Sequence, residues 1–73
     1  MLEVNKRVFL IIDELKKLGI IDFDTEFCEA IGLLKQNLNN IKQGRMNFNL
    51  KHVNNIIKRY NVNPYYIFGL ENK

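Results

Sequence analysis

The stretch GLLKQNLNNIKQGR, residues 32–45, decides how the chain is read. Five side-chain amides (Gln36, Asn37, Asn39, Asn40 and Gln43) stand among three basic residues, Lys35, Lys42 and Arg45, with no acid between them. Leu34, Leu38 and Ile41 fall at i, i+4 and i+7, which is the spacing of one helix face, and Gly44 closes the pattern. The spacing predicts a helix that starts two or three residues after Gly32 and carries hydrogen-bonding groups over most of its outer face. Asn costs up to about 0.7 kcal/mol relative to Ala inside a helix. So many amides there are easier to understand if something outside the chain uses them.

Upstream, Val4, Val8, Ile11, Ile12, Leu15 and Leu18 recur at threes and fours, predicting a helix over roughly residues 3–18 that stops at Gly19. Asp22 or Asp24 is placed to cap a short helix of about residues 24–31. Glu26 lies in its first turn, and Phe27, Ala30 and Ile31 form its buried face. Cys28 lies where two helices must approach closely and reads as a small packing residue. Downstream, Asn49 caps a fourth helix with Leu50, Val53, Ile56, Ile57 and Tyr60 as its core stripe. His52, between those positions, is expected to be exposed and incidental. Asn63 and Pro64 read as N-cap and first residue of a very short fifth helix that ends at Gly69, with Tyr66 and Ile67 turned inward. No window alternates with period two for long enough to suggest a strand. The fold class is therefore all-α: five helices in one domain spanning residues 1–73.

Seventy-three residues bury only about 60 % of the unfolded surface, which leaves little room for a deep cleft. One cysteine and one histidine are too few for a protein-only zinc site, and the lone Cys28 has no internal disulfide partner. VFLII, residues 8–12, is too short for a membrane span or a signal peptide. A soluble chain in a reducing cytoplasm fits these features. There is no convergent acid pair, no nucleophile–base spacing and no Gly-rich phosphate loop, so neither an enzyme nor a cofactor is expected.

The net charge of +3 conceals an asymmetry. Residues 1–34 carry four basic and seven acidic side chains, for −3, whereas residues 35–73 carry seven and one, for +6. No Asp or Glu falls between Ala30 and Leu70, while Lys35, Lys42, Arg45, Lys51, Lys58 and Arg59 all do. Such a distribution favours a polyanionic partner. The plainer account is a solvated basic face. Eleven asparagines, with many Lys and Ile, also fit an A·T-rich genome in which drift supplies amides.

Two short helices with a glycine between them, over about residues 24–43, resemble a helix-turn-helix, whose second helix lies in the major groove. An amide bonds an adenine edge in bidentate fashion, and Lys bonds the O6 and N7 acceptors of guanine. The whole chain resembles the phage-repressor-like family of lambda repressor and Cro type, also called the XRE family. Thr25-Glu26-Phe27-Cys28 is similar to the opening of that family's second helix, and Ile31-Gly32-Leu33 to its turn. Leu38, Ile41 and Gly44 match the third helix, and the segment VNPYYIFGL, residues 62–70, matches the family's ending.

The resemblance implies a sequence-specific transcriptional regulator that binds a double-stranded DNA operator as a homodimer. Position by position it makes Lys35, Gln36 and Asn40 base readers, flanked by Asn37 and Asn39. Gln43 and Arg45 would hold the DNA backbone together with Lys42, and Thr25 would meet a phosphate at the helix N-terminus. Two departures stand out: Leu34 replaces the usual capping Ser or Thr, and Asp24 stands where a neutral or basic residue often faces phosphate. Asp24 is read as a cap. Tyr65, Tyr66 and Phe68 read as packing residues, or else as an exposed aromatic dimer patch. The alternative functions are the antitoxin of a toxin–antitoxin pair, or a helical module that keeps the fold but binds a protein such as a toxin or antirepressor.

Overall fold

In the computed structural model, residues 1–70 are described; the tail Glu71-Asn72-Lys73, readable as an end or a cut before a linker, lies outside them. Five helices follow one another: α1 (Glu3–Lys17), α2 (Asp24–Ile31), α3 (Lys35–Lys42), α4 (Leu50–Tyr60) and α5 (Pro64–Ile67). No strand occurs among the described residues. The all-α expectation and the five spans hold to within a residue or two.

Each helix places at least one side chain at 0 % exposure: Val8 from α1, Phe27 and Ile31 from α2, Ile41 from α3, Ile56 from α4 and Ile67 from α5. The core is thus one shared cluster, and no helix can leave without opening it. α2 packs on α4 and α3, and α1 packs on α5. Phe27 stacks on Tyr60 at 5.7 Å and 11°, joining α2 to the end of α4. The radius of gyration is 11.2 Å, close to the roughly 11 Å expected of a compact chain this long.

The boundaries of α3 are set by backbone geometry. Gly32 has φ +73°, a left-handed value that a side chain disfavours. This lets Leu33 N–H turn back to Cys28 O at 2.9 Å and Gly32 N–H to Glu29 O at 3.4 Å, closing α2. Gly44, at φ +82°, closes α3 in the same way, with Arg45 N–H on Asn40 O at 2.9 Å. As expected, Asn49 Oδ1 caps α4 by accepting from His52 N–H at 2.8 Å, and Asn63 Oδ1 caps α5 from Tyr65 N–H at 3.0 Å.

Four local expectations are corrected. Leu34 is not part of the α3 stripe: its extended backbone (φ −72°, ψ 141°) precedes the helix, so it points outward at 70 % exposure and Leu33 fills the core instead. Leu50 is 68 % exposed, because it shares the side of Ile57 at the margin of α4 while Val53 and Ile56 define the centre. His52 is buried, not exposed. Its Nδ1 accepts from Asn49 N–H at 3.2 Å, and its ring meets Phe48 edge-on at 6.3 Å. Finally, neither Asp22 nor Asp24 caps α2 with its side chain. Glu26 reaches back instead, its Oε1 accepting from Asp22 N–H at 3.0 Å and Phe23 N–H at 3.2 Å.

Candidate nucleic-acid interface

The outer face of α3 presents Lys35, Gln36, Asn39, Lys42 and Gln43, all exposed and all within one stripe of the helix. The side chains of Lys35, Gln36, Asn39 and Gln43 have no partner among the described residues. Leu38 and Ile41, on the opposite side, are 2 % and 0 % exposed and fix which way this stripe faces. α3 is held at both ends by its glycine turns and along its length by the core. The backbone that carries these amides is therefore already ordered before any ligand is met, and only side-chain freedom remains to be lost.

Asn37 and Asn40 are not in the stripe. Both are half-buried on its flank, where Asn40 Nδ2 makes a long 3.5 Å contact to Asn37 Oδ1. Asn40 Oδ1 accepts from Arg45 Nε at 3.3 Å and Nη2 at 3.1 Å. The guanidinium is thereby folded back over the end of α3, with its other donors left outward. Of the four amides and Lys35 read as base contacts from the sequence, Lys35, Gln36 and Asn39 have no side-chain hydrogen-bond partner among the described residues, whereas Asn37 meets Asn40, and Asn40 is engaged in placing Arg45.

The N-terminus of α2 differs from the anion site expected at Thr25. Thr25 is exposed, but its neighbours Asp24 and Glu26 already supply negative charge to the first turn, where the helix dipole favours it. Asp24 Oδ1 pairs with Lys16 Nζ at 2.7 Å, and Asp24 Oδ2 lies 3.6 Å from Lys42 Nζ. Hydrogen bonding to Lys16, ahead of the opposing effect of burial, holds the Asp24 carboxyl below its usual range, so it is charged at neutral pH. The Lys16 ammonium is raised correspondingly. Asp24 and Lys16 belong to the α3 surroundings although neither is near α3 in sequence. A single acid from another helix thus borders a face that is acid-free along its own chain.

Asp24, Lys35, Gln36, Leu38, Asn39 and Lys42 line a shallow cleft of about 390 Å³ on this side. A larger cleft of about 450 Å³ lies between α1 and the start of α5, lined by Leu10, Leu15, Val62 and Tyr66 together with Asp13, Glu14 and Lys17. With Asp13 and Glu14 against Lys17, its lining suits a polyanion less than that of the α3 cleft, where Asp24 faces Lys35 and Lys42. Cys28 is buried, and desolvation pushes its thiol up, which keeps it protonated and fits the packing role.

Sequence reasoning also missed Asn5, which is 2 % exposed on α1. Its Nδ2 donates to Asn47 Oδ1 at 2.8 Å, and its Oδ1 accepts from Phe48 N–H at 3.2 Å. Asn5 ties the loop that follows α3 to α1, and so fixes where the end of α3 and Arg45 stand. Position 5 falls on the same helix face as Val8 and Ile12, which marks Asn5 as a polar residue in an apolar stripe but does not identify its partner. Among the described residues no helix is long and apolar enough to cross a membrane. No family model matches this chain, nor does any curated protein or solved structure.

Proposed function

We propose that the chain is a sequence-specific double-stranded-DNA-binding regulator of transcription, with α2 and α3 as a helix-turn-helix of the lambda repressor and Cro type. α3 enters the major groove. Lys35, Gln36 and Asn39 contact base edges, while Arg45 and Gln43 contact the backbone. Asn40 contributes by holding Arg45, and Asn37 supports Asn40. The observation that carries this reading is the stripe of unpartnered amides and Lys35 on a helix locked into the core. Amides with no hydrogen bond among the described residues keep both donor and acceptor for an adenine edge.

A single recognition helix reads few base pairs, so tight specific binding calls for a homodimer. Tyr65 and Phe68, 57 % and 45 % exposed at α5, give it an apolar contact surface. The test is selection of bound sequences from random duplex DNA at about 0.15 M salt, where purely electrostatic binding is suppressed. An inverted repeat with half-site centres about 10 base pairs apart, or a multiple, is the expected result. A single enriched half-site keeps DNA reading and removes the dimer. No enrichment discards the reading in favour of a protein partner.

A further inference from the structure

The Lys16–Asp24–Lys42 cluster joins three helices at the edge of the α3 face. Lys16 comes from the last turn of α1, Asp24 from the first residue of α2 and Lys42 from the last residue of α3. The carboxylate is about 20 % exposed and the two lysines 39 % and 50 %, so the cluster is partly solvated and open on the α3 side. Its two oxygens are divided between the lysines. Lys16 holds one at 2.7 Å, while Lys42 stands 3.6 Å from the other, near enough for attraction but without a short hydrogen bond. Lys42 Nζ also sits 5.8 Å from the centre of the Phe9 ring of α1, a second attraction within the fold.

An ammonium that already has a carboxylate counter-ion releases fewer solution cations when it meets a phosphate. It must either exchange one anion for another or stay where it is. The structure assigns Asp24 the role of an internal counter-anion that withholds Lys42 from the DNA backbone, limiting sequence-independent affinity without touching the base-reading amides. This rests on the DNA-binding reading above and adds a residue to it that tunes specificity. Lowering the affinity for every phosphate backbone leaves the preference among sequences to Gln36, Asn39 and Lys35. Lys16 acts as a positioning residue, because its tighter contact fixes the carboxylate at the place where Lys42 can reach it.

The test compares wild type, Asp24→Asn, Lys42→Gln and the double variant on the enriched duplex and on a scrambled duplex, across a salt series. Freeing one lysine steepens the slope of log K against log salt by about 0.9, and tightens binding about 5-fold at 0.15 M. Asp24→Asn is expected to show this on both duplexes alike, with an unchanged enriched sequence. Lys42→Gln is expected to weaken the Asp24→Asn protein more than it weakens wild type. Glu14→Gln removes the same formal charge at the edge of the other cleft and is expected to change the slope little. Asp24→Ser gives a second route to the same result if the amide variant folds poorly.

Equal slopes for wild type and Asp24→Asn, on a wild type that does select a sequence, overturn this proposal and leave DNA reading intact. A changed preference at one base pair with no change in slope makes Asp24 a base reader and overturns it too. A wild type that binds no duplex even at low salt overturns the DNA reading, and this inference with it.

Discussion

Two regions of this molecule are built from the same residue type and do opposite things with it. In the seam where the loop after α3 meets α1 and the start of α4, Asn5, Asn47 and Asn49 all have bonded side chains, and Asn5 is among the most buried residues present. On the outer face of α3, Gln36, Asn39 and Gln43 have side chains with no partner among the described residues. An amide in the seam satisfies a donor or acceptor that would otherwise be stranded away from water. An amide in the exposed stripe of α3 costs helix propensity and has no hydrogen bond among the described residues to offset it. Abundance of Asn is therefore uninformative by itself, whereas the split between bonded and unbonded amides locates the surface that a ligand would use.

The sharpest way to break this contrast is Asn5→Ala. The variant strands Phe48 N–H and frees Asn47, with an expected loss of about 2–3 kcal/mol in stability. That appears as a lower urea midpoint at constant slope, and a loss under about 0.5 kcal/mol would deny the seam its role. Next in size, Gln36→Ala or Asn39→Ala is expected to leave stability unchanged, or to raise it by up to about 0.7 kcal/mol through better helix propensity. The same change should cost about 1–3 kcal/mol of discrimination at one base pair. A drop in stability with no change in base preference would put these amides in the scaffold class and erase the distinction. Smaller again, Asn49→Ala is expected to cost about 1 kcal/mol of stability through the lost cap, with base preference in the selection assay untouched.

What the sequence revealed follows the range of the interactions. Helix spans, glycine stops and the caps at Asn49 and Asn63 depend on residues within a turn or two, so periodicity and cap chemistry reach them. Asn5 to Asn47 spans 42 residues, and nothing local announces it. Asp24 looks like a cap when only α2 is considered; its pairing with Lys16 and Lys42 exists only once three helices are assembled. Leu34 and Leu50 fail for another reason: each lies at a helix start, where the backbone has not yet adopted, or has only just entered, the helical period. His52 was misjudged because its polarity outweighed its position. The inward side of the first turn of α4 is filled by a ring that bonds its own cap and meets Phe48. The stripe on α3 was legible in type, since the amides and the core leucine share one helix. It was not legible in membership, because removing Asn40 from it requires Arg45 to fold back across Gly44.

His52 supplies the smallest effect and the most selective one. Burial lowers its pKa first, and the nearby positive charge of Lys51 adds to this. The unfolded chain therefore takes up a proton at a higher pH than the folded one does. Between the two pKa values the unfolded state binds more protons, so stability falls as pH decreases below the ordinary histidine value of about 6.5. Protonation would also remove the acceptor at Nδ1 that bonds Asn49 N–H. Asp24 acts in a separate window: its lowered pKa contributes stability above the ordinary carboxylate range, lost only at far more acid pH. A titration from pH 7.5 to 5.5 consequently isolates the only histidine in the chain. Wild type is expected to lose stability across that range. His52→Gln, whose amide can keep the reciprocal bond to the cap, is expected to lose less. His52 is not on the outer face of α3, so base preference should stay fixed while stability moves. A base preference that shifts with His52 would mean that the seam and the reading face are coupled through the loop of residues 43–49, and the two regions would have to be treated as one.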